Sequence, residues 1–184
     1  MVAPLEQGLD HLTLGRAALY GAILEGRAGS PLPAAGSAAT AERRAEDCAP
    51  YLAARRELDA AVDGLRRAGQ QFQLVQGLLT RAWMRFLSGV RTGPESAQAD
   101  LEEAWEIAER GPMRLFLADI HLYRARLFGK TSAVSGQLSV VSSEKYPWES
   151  PAADLAAAEK LIHACGYHRR DEELADAKRA ILRS

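Results

Sequence analysis

The segment 78–111 constrains the fold more than any other part of the chain. In its second half, small and aliphatic side chains recur at steps of four, three and three residues: Ala97, Leu101, Ala104 and Ile107. This spacing places them on one face of an α-helix that ends at Gly111. An earlier helix runs to Gly89, and the turn-forming residues 91–94 join the two. A single helical hairpin of this kind cannot bury its apolar faces alone, so it needs neighbours of similar construction.

The same helical period recurs along the rest of the chain and predicts an all-α fold. We expect long helices over 4–26, 51–68, 70–88, 95–110, 113–128, 151–166 and 170–182. A shorter helix is predicted over 38–48, and Pro50 separates it from the next because proline lacks the N–H that a helix interior needs. The segments 27–50 and 129–150 are predicted to be loop-rich insertions, and 138–141 has weak strand character.

Capping residues predict where several helices begin. Ser150 precedes Pro151, and a serine hydroxyl can accept a hydrogen bond from the first helical turn while proline is tolerated at the first helical position. Pro112 is predicted to take the same first position in the helix over 113–128. These signals indicate breaks between helices rather than a continuous helical rod.

Chain length and charge narrow the class of protein. A chain of 184 residues is long enough for one domain with a substantial core, which we expect to span 1–184. The 23 Lys and Arg residues nearly balance the 24 Asp and Glu residues, so charge favours neither nucleic acid nor a membrane as partner. Cys48 and Cys165 form no disulfide framework. Without a signal-peptide pattern or a membrane-spanning run, the expected location is cytoplasmic.

Three predicted helices share an acidic residue, a Leu directly after it and an Ala three residues later. The matching triplets are Glu57, Leu58 and Ala61; Asp100, Leu101 and Ala104; and Asp154, Leu155 and Ala158. Their partner helices also match, with Leu79 and Ala82 corresponding to Leu115 and Ala118. The repeat predicts stacked antiparallel helical hairpins, an α-solenoid closed by the C-terminal helix.

The hairpins resemble tetratricopeptide repeats. Gly89 matches the turn glycine of that family, and Ala97 and Ala104 match the two small residues of its second helix. Leu101 replaces the usual aromatic residue, Leu78 the usual Trp, and Arg81-Ala82 the usual Leu-Gly pair. Four segments, 64–71, 106–115, 146–155 and 166–174, also resemble the C-terminal repeat regions of bacterial multidomain proteins that carry an NTPase or a Toll/interleukin-receptor-like module.

The resemblance implies a non-catalytic module that binds a protein or peptide on the concave face of the hairpin stack. The alternative is the sensor or oligomerisation part of a bacterial signalling or antiphage defence NTPase whose catalytic domain lies outside this chain. A homo-oligomer is compatible with both. The concave face is formed by the first helix of each hairpin, and aromatic and Arg residues are enriched at protein contacts. The predicted binding residues are Arg16, Tyr20, Trp83, Phe86, Asp119, Tyr123 and Arg126. Trp83 and Phe86 fit core positions equally well.

Other motifs are only weak indications of a metal, nucleotide or catalytic site. His163, Cys165 and His168 have a spacing that zinc could use, but they straddle a helix end and have no fourth ligand nearby in the sequence. Gly129-Lys130-Thr131 resembles the end of a phosphate-binding loop, yet it follows a predicted helix instead of a strand. Asp119 and His121 are two residues apart and point in different directions on a helix. We therefore expect no enzyme activity, no cofactor and no metal, and we interpret His121 as a packed or interface residue.

Overall fold

The structure is a computed structural model that describes residues 3–26, 39–129 and 146–182. Its α-helices are α1 (Pro4–Gly26), α2 (Ala39–Arg67), α3 (Gln71–Leu87), α4 (Ala97–Arg110), α5 (Arg114–Phe128), α6 (Pro151–Cys165) and α7 (Asp171–Ile181), with a 3₁₀ turn at His168–Arg170. No strand occurs in these ranges. The all-α prediction is confirmed. The chain divides into two compact units, 1–97 and 98–184.

In the first unit, α1 packs along α2, and α2 packs against α3. Leu19, Leu58, Leu65 and Leu78 lie at the centre of this unit and are completely or almost completely buried. The contact between α1 and α2 is close because both helices carry glycine where they meet. A Cβ added to Gly64 would lie 3.0 Å from the backbone Cα of Gly8, so a side chain at this crossing would force the helices apart.

In the second unit, α5 packs against α6, and α7 contacts both. The core combines small and large side chains from these three helices and Tyr167, which directly precedes the 3₁₀ turn: Ala118, Leu122, Ala125, Leu155, Ala158, Ile162, Tyr167, Leu174 and Ala177. The predicted start of α6 is confirmed. Ser150 accepts a hydrogen bond from the backbone N–H of Ala153 at 3.1 Å, and Gly166 ends the helix in the left-handed conformation at φ 63°.

The predicted helix break at Pro50 is wrong. The helix α2 runs continuously from Ala39 to Arg67, so 39–50 is helical and only 27–38 of the predicted insertion lies outside the described residues. Proline removes one backbone hydrogen bond and crowds one carbonyl, at a cost of about 3 kcal/mol. The other backbone hydrogen bonds of a helix are unaffected by that loss. Of the predicted loop over 129–150, residues 130–145, which include the strand-like residues 138–141, also lie outside the described residues.

The start of α5 also differs from the prediction. Pro112 does not occupy the first helical position, because α5 begins at Arg114 with Met113 as its N-cap. The N–H of Met113 instead donates to the carbonyl of Ala108 in α4 at 2.8 Å, which extends the terminal turn of the preceding helix. In the first turns of α5, Leu115 is exposed and Phe116 is buried.

Candidate functional site

The seven predicted binding residues lie on three helices. Arg16 and Tyr20 are on α1, Trp83 and Phe86 are on α3, and the other three are on α5: Asp119, Tyr123 and Arg126. The first four therefore belong to the first unit and the last three to the second. Three of them come together in the structure. Arg16, Tyr20 and Trp83 form a patch that we call the α1–α3 surface.

Two contacts fix the geometry of the α1–α3 surface. The Tyr20 ring meets the Trp83 indole edge to face, with ring centroids 5.7 Å apart and planes at 79°. The Arg16 Nε donates to the Thr80 hydroxyl at 3.3 Å, and that hydroxyl donates to the carbonyl of Gln76 at 2.9 Å. The contact partners advance along both helices, from 16 to 20 and from 80 to 83. The two helices therefore run in the same direction here.

The α1–α3 surface is partly open to solvent. The Tyr20 side chain is 53 % exposed, and Trp83 is partly buried beneath it. One turn further along, Leu24 on α1 and Leu87 on α3 are also exposed. Aromatic and Arg side chains next to exposed Leu residues match the chemistry of protein-contact hot spots. Phe86 lies one turn from Trp83 and is covered by the guanidinium of Arg91, 4.7 Å from its ring centroid.

The three α5 residues are placed differently. Asp119 is 4 % exposed and accepts hydrogen bonds from Arg170 at 2.8 Å and from the Tyr167 hydroxyl at 3.2 Å. Its carboxylate is therefore occupied inside the second unit. Tyr123 is partly buried. Arg126 is half exposed and lies 3.6 Å from a carboxylate oxygen of Glu173, so of the three its charged group is the most accessible.

Burial and ion pairing have opposite effects on the pKa values of Asp119 and Arg170. Burial raises the pKa of Asp119, while the hydrogen bonds from Arg170 and Tyr167 oppose that rise. Burial alone would lower the pKa of Arg170, but Asp119 and Glu173 outweigh it and raise the pKa of this guanidinium. The raised pKa of Asp119 therefore comes from desolvation and not from weak hydrogen bonding to Arg170 and Tyr167. This ion pair ties the 3₁₀ turn before α7 to α5.

A second polar cluster is more deeply buried, and the sequence pattern did not predict it. Asp154 on α6 lies between two α5 residues: His121 Nδ1 is 2.9 Å from one carboxylate oxygen and Arg124 Nε is 2.8 Å from the other. The Arg124 N–H is not aligned with its oxygen, so that contact is an ion pair and not a directed hydrogen bond. Burial lowers the pKa of Arg124, and Asp154 opposes this effect.

Aromatic rings enclose this cluster. Trp105 and Trp148 stand edge to face against His121, with centroid distances of 5.1 and 5.9 Å. The Arg124 guanidinium lies 4.6 Å from the centroid of Trp148, which is a cation–π contact. The Tyr146 ring also stacks on Trp148, with ring centroids 5.9 Å apart. A His-Asp pair can move protons, but His121 is buried among these rings. The arrangement therefore holds α5 and α6 together, which agrees with the interpretation of His121 as a packed residue.

A comparable pair lies in the first unit. His11 Nδ1 on α1 is 2.7 Å from a carboxylate oxygen of Glu57 on α2, and the contact with His11 lowers the pKa of Glu57. Glu57 and Asp154 are both the acidic residue of the repeat. Their partners also share a sequence context, His-Leu-x-x-small-Arg, at 11–16 and 121–126. This shared context is the signal that could have identified the histidines from the sequence.

The remaining motifs form no site in the described residues. His163 is exposed, Cys165 is partly buried, and His168 pairs with Asp171 at 3.0 Å. Among the residues that the structure describes, no group of three or more His, Cys, Asp and Glu is placed to hold a metal ion. In the phosphate-loop-like tripeptide, Gly129 is the C-cap of α5, and its other two residues lie outside the described ranges.

Comparison with known proteins gives no match: no family model, curated protein or solved structure is similar to this chain. Within the described residues, none of the helices combines the length and the apolar character needed to cross a membrane.

Proposed function

We propose that this chain is a non-catalytic, tetratricopeptide-like module of the bacterial cytoplasm that binds a protein or peptide through the α1–α3 surface. The observation that carries the proposal is the exposed Tyr20 ring held against Trp83 beside Arg16. These are the three residue types that dominate binding energy at protein interfaces. Exposed Leu24 and Leu87 extend the surface by one turn.

The side chains of this surface are positioned before any partner binds. Arg16 is held by Thr80, and Tyr20 is held by its ring contact with Trp83. Ordering a flexible side chain at an interface costs about 0.5–1.5 kcal/mol, so residues that are already held lose less freedom on binding. The surface suits a partner segment with apolar side chains for the rings and an acceptor for the remaining N–H groups of Arg16.

The wider setting that we propose is bacterial signalling. The likeness of four segments to repeat regions of multidomain NTPase and Toll/interleukin-receptor-like proteins supports a role as the sensor or oligomerisation part of such an assembly. In that setting the bound protein would control an effector whose chemistry lies in another domain.

Capture of partners from the producing cells tests this proposal. The tagged parent chain, Tyr20→Ala and Phe72→Ala are used as baits, and the bound proteins are quantified by mass spectrometry. Phe72 is a matched control because it is 54 % exposed, close to the 53 % of Tyr20, and lies at the opposite end of α3 from Trp83. We expect the recovery of a specific partner to be at least tenfold lower with Tyr20→Ala than with the parent chain, which corresponds to about 1.4 kcal/mol of binding free energy.

The control variant should retain that partner. Equal recovery with Tyr20→Ala and Phe72→Ala would contradict the assignment of the surface. Circular dichroism of each bait shows whether it is folded, so that loss of binding is not confused with unfolding.

A further inference from the structure

Residues 146–149, which we call the aromatic strap, lead into α6 without forming a helix or a strand. Trp148 is the one buried side chain of the strap, at 3 % exposed, whereas Pro147 and Glu149 are exposed and Tyr146 is partly buried. Within the described residues, the main-chain groups of Pro147, Trp148 and Glu149 form no hydrogen bond to other main-chain groups. Side chains therefore hold the strap in place, chiefly a single indole, as they would hold a bound peptide.

The pocket for this indole is formed by side chains of α4 and α5. The Trp148 ring lies edge to face against Trp105 of α4, with ring centroids 5.2 Å apart, and against His121 of α5, at 5.9 Å. The Arg124 guanidinium lies 4.6 Å from the same ring. Two aromatic walls and a cation favour a flat ring with an electron-rich face. The pocket therefore suits an indole better than an aliphatic side chain.

Tyr146 gives the strap a second point of attachment. Its ring lies nearly parallel to that of Trp148, with the planes at 11°, and its hydroxyl donates to Glu106 of α4 at 2.6 Å. Pro147 restricts the backbone between the two rings. Aromatic-lined grooves that bind proline-containing segments are a recurrent mode of peptide recognition, because such segments have little conformational freedom to lose. The strap thus has the chemistry of a peptide ligand.

The pocket is also where buried polar groups lack hydrogen bonds. Four buried side-chain polar atoms have no hydrogen-bond partner in the part of the chain that the structure describes, and three of them are here: Trp105 Nε1, Arg124 Nε and Asp154 Oδ2. The fourth, Gln73 Oε1, belongs to α3. Each such atom weakens the folded state, because it has lost its contact with water and gained no other. The strap therefore leaves the hydrogen-bonding capacity of this region incompletely used, and a ligand that supplies an acceptor can compete with it.

We propose that the pocket formed by Trp105, His121 and Arg124 is a second peptide-binding site and that the aromatic strap occupies it as an intramolecular inhibitor. The ligand is a segment of a protein partner that presents an indole to the pocket and, two residues earlier, a hydroxyl-bearing ring to Glu106. The start of α6 does not depend on the strap, because the Ser150 side chain caps that helix locally. This inference concerns the second unit and does not depend on the α1–α3 surface.

The strap has the advantage of being tethered to its pocket. A short flexible link gives a tethered ligand an effective concentration of the order of millimolar, so the strap occupies the pocket of the parent chain most of the time. The apparent dissociation constant of an added peptide equals the intrinsic constant divided by the fraction of open pockets. Any change that weakens the strap without altering the pocket must therefore tighten the binding of that peptide.

Binding of the strap sequence as a separate peptide tests the proposal. The probe is a peptide of residues 146–150 with blocked ends and a fluorinated tryptophan, and fluorine NMR measures its dissociation constant; a peptide of the same residues in scrambled order is the control. We expect Trp148→Ala, which empties the pocket, to bind the probe at least tenfold more tightly than the parent chain. Tyr146→Ala, which removes the stacking ring and the hydrogen bond to Glu106, should also bind it more tightly.

Phe116→Ala is the matched control variant, because it removes another ring of α5 that is 6 % exposed. It should bind the probe no more tightly than the parent chain. Circular dichroism shows whether each variant is folded, and Tyr146→Ala carries the test if Trp148→Ala unfolds. Equal binding by the parent and a folded strap variant, or tighter binding by Phe116→Ala, would overturn the proposal, and so would equal binding of the scrambled peptide.

Discussion

Neutralising Asp154 should destabilise the second unit more than the loss of an ordinary ion pair. The Asp154 side chain is 1 % exposed and that of Arg124 is 8 % exposed. Asp154→Asn keeps the size of the side chain but removes the charged carboxylate that lies 2.8 Å from the buried Arg124 side chain. Breaking a buried pair in this way typically costs about 3–5 kcal/mol. For a chain of this length, each kcal/mol corresponds to roughly 2–4 °C in the melting temperature, so the expected decrease is about 6–20 °C.

Urea and thermal unfolding followed by circular dichroism measure this effect. The matched control is Asp176→Asn, since Asp176 also contacts an arginine, Arg179, but both side chains are largely exposed. Exposed pairs contribute about 0–1 kcal/mol, so the control should melt close to the parent. Combining Asp154→Asn with Arg124→Met removes the buried charge and should recover at least half of the lost stability. A loss below about 1 kcal/mol in Asp154→Asn, or no recovery in the double variant, would show that Asp154 does not stabilise the buried charge of Arg124.

Two further predictions concern the helix contacts. Ala104 and Ala158 are fully buried, so Ala104→Leu or Ala158→Leu should each lower the free energy of unfolding by about 1–3 kcal/mol through overpacking. Ala156→Leu, at an exposed site, should change it by less than about 0.5 kcal/mol. Urea melts that show no difference between these variants would place Ala104 and Ala158 outside the helix contacts. The hydrogen bond from Lys178 to Glu159, at 2.6 Å, lowers the pKa of that glutamate below 4.5, so the contact stabilises the fold above pH 4.5 and its contribution is lost as the pH falls through the lowered value. In Lys178→Ala, NMR titration should show the Glu159 pKa returning toward 4.5, and an unchanged pKa would show that Lys178 is not the cause.

The sequence was informative where the determining interactions are local. The cap formed by Ser150 and the stop at Gly166 depend on backbone groups within a few residues, and both are where the sequence predicted them. The apolar stripe of α4 is buried from Ala97 to Ile107 for the same reason, since a fixed helical period decides which side chains share a face. Pro50 was misjudged because its local penalty was treated as a helix break.

The polar clusters needed information that spacing does not contain. Asp154 was recognised as a repeat position, but its partner His121 is 33 residues away, and only the packing of α5 against α6 brings them together. Asp119 illustrates the same limit, because its place on α5 suggested a binding face while the turn before α7 covers it. The meeting of Tyr20 with Trp83 likewise depends on α1 and α3 lying side by side.

Photo-cross-linking from position 20 tests whether the α1–α3 surface binds a protein partner. A photoreactive phenylalanine analogue is incorporated in place of Tyr20, and in place of Phe72 as the control, and the producing cells are irradiated. We expect a discrete cross-linked partner from position 20 that is absent from position 72 and is lost when Arg16→Ala is added. No cross-link from position 20, or the same products from both positions, would contradict it.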